Sequence, residues 1–191
     1  MASEALHEFA VRALTSFVED YKRVFDIVDE PELDERLRRM TAGLVAYAMS
    51  PGDILPDSMG ILGHLDDAIL YRMLLLRVKR EAPEVAAVQA SRNPDLWEPL
   101  DADLAAVREF AGDDVFDWLY DRIAELPALV HKGRPIAELD LDTEDSGWLR
   151  DELSESLVRV DIKETAAKRE ARKVDALLPR LKQRMEASRR K

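Results

Sequence analysis

Residues 47–67 read Tyr47-Ala48-Met49-Ser50-Pro51-Gly52-Asp53-Ile54-Leu55-Pro56-Asp57-Ser58-Met59-Gly60-Ile61-Leu62-Gly63-His64-Leu65-Asp66-Asp67. Two prolines, three glycines and four aspartates lie between two apolar segments of helical period. Proline and glycine fix or free backbone angles that a continuing helix does not tolerate, so this stretch reads as a joint between helices. Ser50 suits a helix cap, with Pro51 in the first position and Asp53 in the third. Pro56-Asp57 fits a turn, Gly60 and Gly63 permit unusual dihedrals or close helix contact, and Asp66 and Asp67 stand at a helix start where the macrodipole favours negative charge.

Working outward, the chain reads as helices with no convincing strand. Leu6, Phe9, Ala10, Ala13, Phe17, Tyr21, Val24, Phe25 and Val28 recur at spacings of three and four, which predicts one long first helix. Pro31 suits the first turn of a second, with Leu33, Leu37, Met40, Leu44 and Tyr47 inward, and the two faces are expected to pack together. Leu65 to Glu81 is apolar almost all round and is expected to be the most buried helix. Pro83 opens a short helix, Ala90 to Pro99 reads as a loop pinned by Trp97, and Gly112 separates two further helices before Pro127 ends the second. Lys132 to Thr143 looks like an exposed connection. Trp148, Leu149, Leu153, Leu157 and Val160 form one amphipathic stripe. Ile162, Ala166, Val174, Leu177, Leu181 and Met185 form a thinner one, interrupted at Pro179.

The expected architecture is all-α: a compact multi-helix bundle over residues 1–160, with a basic amphipathic C-terminal helix over 161–191. Charge divides at the same place. Residues 161–191 hold 11 Lys and Arg against 5 Asp and Glu, a net of +6, whereas residues 1–160 hold 17 against 34, a net of −17. An acidic body repels nucleic acid and anionic lipid; the tail, with Lys168, Arg169, Arg172, Lys173, Arg180, Lys182 and Arg184, either attracts them, folds back on the body or is a solvated helix face. Interleaved aromatics are missing and Glu170, Asp175 and Glu186 dilute the charge, which argues against nucleic acid.

The chain has no cysteine, so disulfides, thiolate metal sites and a cysteine nucleophile are excluded. Acids near the N-terminus stand where an export signal would carry bases, and Arg72 and Arg77 interrupt the most apolar window short of a membrane span. A cytoplasmic protein is expected. His7, His64 and His131 are dispersed and form no catalytic triad with Ser50 or Ser146. Gly60-x-x-Gly63 lacks the strand and lysine of a phosphate loop.

Two readings of the joint stay open. In one, Asp53, Asp57, Asp66 and Asp67 are caps and turn residues. In the other, four carboxylates gathered at one joint require an answering cation, and magnesium or calcium would suit a set of oxygen ligands. The first leads to a non-catalytic interaction or scaffold protein that engages a protein partner or a second copy. The second leads to a divalent-metal-dependent enzyme, such as a phosphate-ester hydrolase.

The pattern Ser50-Pro51-x-Asp53-x-x-Pro56-Asp57, followed by Leu62-Gly63-x-Leu65-Asp66-Asp67, resembles the signature of the YkvA-like family, the bacterial domain of unknown function DUF1232. The resemblance covers residues 44–79. It implies a small, mostly helical protein without an assigned catalytic residue, and peripheral membrane contact, since many members are strongly apolar around the motif. Here Gly52, Ser58, His64, Arg72 and Arg77 stand where more apolar residues would be expected, which points to a soluble variant.

Overall fold

The structure is a computed structural model that describes residues 2–50, 54–55, 57–142 and 144–190. Its α-helices are α1 (Glu4–Thr15), α2 (Phe17–Lys22), α3 (Val24–Val28), α4 (Glu35–Ala48), α5 (Leu65–Glu81), α6 (Pro83–Arg92), α7 (Pro94–Trp97), α8 (Leu100–Ala111), α9 (Asp113–Glu125), α10 (Glu144–Leu157), α11 (Glu164–Ala171) and α12 (Leu177–Ser188). The all-α class expected from the periodicity holds. Helix α5 is the axis, buried along nearly its whole length, with α1, α4, α6, α8 and α9 packed around it. Helix α4 is covered in turn by α3, α9 and α10.

The first helix is not continuous. Its apolar period persists, but the chain bends at Ser16 and again at Arg23. The Ser16 hydroxyl bonds the Arg12 carbonyl at 3.0 Å and the Asp20 carboxylate at 2.9 Å, offering the backbone local partners that compete with a straight helix. The bends let Phe17, Tyr21, Val24 and Phe25 all reach the core. They also limit the contact with the second helix mainly to α3 against α4.

The second helix starts later than Pro31 suggests. Asp34 takes the cap, accepting from the Leu37 amide at 2.9 Å. Within α4, Gly43 allows a close crossing, since a Cβ there would lie 2.6 Å from the Leu126 carbonyl carbon. Leu126 belongs to the 3-10 turn Leu126–Ala128 that ends α9 at Pro127.

Three further details depart from the sequence reading. The connection after α9 contains a two-residue antiparallel ribbon, Val130–His131 with Arg134–Pro135, turned by Lys132 and Gly133 at φ 47° and 81°. The turn matches the hairpin class that needs positive φ at both central residues. Trp97 ends a short helix, α7, in the segment read as a loop. The C-terminal helix is divided at Arg172–Ala176, and Pro179 sits in the first turn of α12, where its missing amide proton costs nothing.

The tail folds back. Helix α11 lies on α1 and on the 3-10 segment Asp57–His64, and α12 lies on α8 and α9. Ala167, Ala171, Val174, Leu177, Leu181 and Met185 are buried in the same core as the body.

Replacing Gly43 by Ala is expected to lower stability by about 1–3 kcal/mol, because backbone must move to admit the Cβ. Thermal unfolding followed by circular dichroism reads this as a lower midpoint with an unchanged native spectrum.

Candidate functional site

The joint is built from both of the helices it connects. Helix α4 ends at Ala48, and Ser50 turns its hydroxyl back to donate to the Ala46 carbonyl at 2.6 Å. The donor of Ser50 thus closes the preceding helix. Pro51, Asp53 and Pro56 lie outside the described residues, and of Asp57 only the backbone is described. Asp57–His64 forms a 3-10 segment kinked at Gly60, whose φ of 62° and ψ of −138° suit glycine alone. Gly63 is buried just before α5.

Asp66 is fully buried in the first turn of α5. Its Oδ2 accepts from the Tyr47 hydroxyl at 2.7 Å and from the Leu55 amide at 3.0 Å. The Tyr47 oxygen in turn accepts from the Ile54 amide at 2.6 Å. One tyrosine from the end of α4 and one aspartate from the start of α5 therefore satisfy two amides of the intervening chain. Burial pushes the Asp66 carboxyl up to about 6, against the opposing pull of the Leu55 amide and the Tyr47 hydroxyl. Its Oδ1 has no partner among the described residues. Burial beside Asp66 and Asp67 also holds the Tyr47 hydroxyl firmly protonated, so it acts as a donor.

Asp67 is equally buried but turns elsewhere. Its Oδ2 lies 3.7 Å from His64 Nδ1, and its backbone carbonyl accepts from the Tyr21 hydroxyl at 3.2 Å. The His64 ring packs on Phe17 at 4.7 Å between centroids. The two described acids of the joint thus hold different neighbours among the described residues. Among the described residues no group of three or more His, Asp or Glu side chains is placed to hold a metal ion.

A second polar centre lies farther along α5, and the sequence reading missed it. Arg72, 2% exposed, donates to Asp20 of α2 at 2.9 Å and places Nε 3.5 Å from Asp103 of α8. Asp103 is itself buried and is paired with Arg12 of α1. Burial raises the Asp103 carboxyl, and the Arg12 and Arg72 charges oppose that rise. The available signal was the position of Arg72 inside an apolar window: a charge on the most buried helix must find partners. A third centre, Glu30 with Gln89 and Arg92, ties the end of the α3 region to α6.

The tail residues are placed as follows. Lys168 pairs with Glu164, and Arg169 and Lys173 pair with Glu170, all within the tail. Arg184 Nε donates to the Ile54 carbonyl at 3.3 Å, so α12 touches the joint. Arg172, Arg180 and Lys182 are exposed.

Residues 38–71 match the family model described as a protein of unknown function, DUF1232. The match runs from α4 through the joint into α5, includes Tyr47 and Asp66, and stops one residue before Arg72. Neither the curated proteins nor the solved structures contain a significant match to the chain. No described helix is long and apolar enough to cross a membrane.

Two predictions follow the two polar centres. The unfolded Asp66 carboxyl titrates near 3.9 and the folded one near 6, so the native chain binds the extra proton between those values. The Asp66 contribution to stability therefore falls as pH rises from about 4 to 6 and is flat above. Asp66→Asn keeps the accepting oxygen and should remove that slope, as read from urea unfolding across the same pH range. Arg72→Met leaves two buried carboxylates without their common cation, and urea unfolding at pH 7 should show a loss of about 3–5 kcal/mol.

Proposed function

We propose that this chain is a non-catalytic helical interaction protein in which the DUF1232 segment is the structural joint that sets α4 against α5. The observation that carries this reading is the inward commitment of the joint's described polar groups. Tyr47, Asp66 and Asp67 are all buried; Tyr47 and Asp66 bond each other and the amides of Ile54 and Leu55, and the Asp67 backbone carbonyl accepts from Tyr21. Side chains held this way fix the angle at which the two helices meet. The work of such a protein lies on its outer helix faces, which are strongly charged and divided by sign between body and tail.

The second reading, a divalent-metal-dependent enzyme using Asp53, Asp57, Asp66 and Asp67, is supported by the clustering of these acids in sequence. It needs the Asp66 carboxylate turned toward the cation, whereas its Oδ2 is already engaged by the Tyr47 hydroxyl and the Leu55 amide.

Calorimetric titration with magnesium, manganese and calcium separates the two. The interaction reading expects no heat of binding up to millimolar metal and no change in unfolding midpoint. Binding that disappears in Asp66→Asn would overturn it in favour of the metal reading. The chain is also expected to migrate above its isolated mass in native lysate on calibrated size exclusion; migration as the isolated monomer at every salt concentration counts against an interaction role.

A further inference from the structure

The cations of this molecule fall into two populations. Before residue 159, every Lys and Arg except Arg80 is ion-paired with a carboxylate, and Arg80 lies over the Tyr120 ring. In the tail, Lys163, Arg172, Arg180, Lys182, Arg189 and Arg190 are exposed and have no carboxylate partner among the described residues. The tail is therefore attached to an acidic body chiefly by its apolar stripe, with Arg184 and Asp175 also touching the body and these six cations exposed.

The aromatic rings divide in the same way. Of the half-exposed rings, Tyr120 lies under Arg77 and Arg80 and Trp148 under Arg134, with centroid distances of 4.2, 5.3 and 4.4 Å. Trp118 and Phe110 have no cation over them among the described residues. Trp118 of α9 packs against the core but stays half-exposed, with Asp114 four residues before it and Asp121 three after, and both acids are exposed and outside any ion pair of the described residues. A half-exposed indole framed by two unpaired carboxylates is a seat for a guanidinium on a basic helix.

Resting on the interaction reading above, we propose that the occupant is a second copy of this chain, whose α12 docks Lys182 and Arg189 against Asp114, Trp118 and Asp121 of α9. The spacings agree: each charge pair is seven residues apart, Asp114 and Asp121 within α9 and Lys182 in α12 with Arg189 at its C-terminal cap, about 10.5 Å by helical rise. Arg189 reaches one carboxylate and the indole, and Lys182 reaches the other carboxylate. Within one molecule α12 packs beside α9. A two-fold axis that sets each α12 on the other copy's α9 makes both contacts at once and closes the pair as a dimer. The net charge of −11 opposes association over long distances, but at 0.1 M salt the Debye length is about 10 Å and contact pairs prevail. Association should be strongest near that salt concentration and weaker at both lower and higher salt.

Sedimentation velocity of the purified chain, at concentrations on the order of 100 µM, suits an interface of a few exposed pairs and one ring. The expected result is a reversible monomer–dimer equilibrium at 0.1 M salt, weakened about tenfold by Trp118→Ala as for an interface hot spot. The pair Asp114→Lys with Asp121→Lys, and the pair Lys182→Glu with Arg189→Glu, should each give monomers with native circular dichroism. Mixing the two variants should restore the dimer, because both contacts regain opposite charges. A dimer indifferent to these substitutions overturns the assignment of α9 and α12 and leaves the interaction reading standing. A monomer at all salt concentrations also overturns it, whether or not the chain then binds duplex DNA or phosphatidylglycerol vesicles, and leaves a different partner to the lysate experiment.

Discussion

Arg72 carries a full charge at the centre of the molecule and bridges toward two carboxylates from other helices. Taking these groups out of water costs several kcal/mol per ion, and the cost is offset only while the charges remain close and oriented. That requirement fixes where α2 and α8 stand relative to α5, and Arg12 extends it to α1 through Asp103. An apolar core of this size tolerates sliding among helices of similar shape; an ion network at its centre does not.

At its N-terminus, α5 is held by a different device. Asp66 and Tyr47 satisfy the amides of Ile54 and Leu55, which a chain crossing from α4 to α5 would otherwise bury without partners. The helix is thus located by an ion network on one side and by a hydrogen-bonded joint on another. The segment that matches the family model, residues 38–71, contains the joint but ends just before Arg72, so the rest of the chain supplies the carboxylates that surround the network. The tail closes the assembly differently, through small and aliphatic residues on α11 and α12, with its charges outside.

Much of the fold was legible along the chain. The apolar periods located α4, α5, α8, α9 and α10, and Pro83, Gly112 and Pro127 marked real boundaries, because each acts through its own backbone geometry. Less legible were features set by competition between partners. Ser16 breaks a helix that its apolar pattern would continue, and Asp34 takes a cap from a start suggested by Pro31. Pro179 suggested a break that belongs to Arg172–Ala176 instead. Of the candidate site, the sequence singled out Asp66 and Asp67 at the start of α5, but it could not assign Tyr47 as the donor to Asp66, since a tyrosine on an apolar face reads only as core. Arg72 read as a sign of solubility and is among the most buried side chains.

By itself, then, the sequence determined the helical class, the existence of a joint at residues 47–67 and the division of charge between body and tail. These follow from residue spacing and composition, which act locally or as simple sums. Only the tertiary structure decided that Asp66 and Asp67 turn to different partners, that Arg72 joins Asp20 and Asp103 across 52 and 31 positions of chain, and that the tail docks by its apolar stripe while Arg172, Arg180 and Lys182 stay exposed. The physical reason is that a charge's role depends on what burial brings within a few ångströms of it, and no local pattern records that distance.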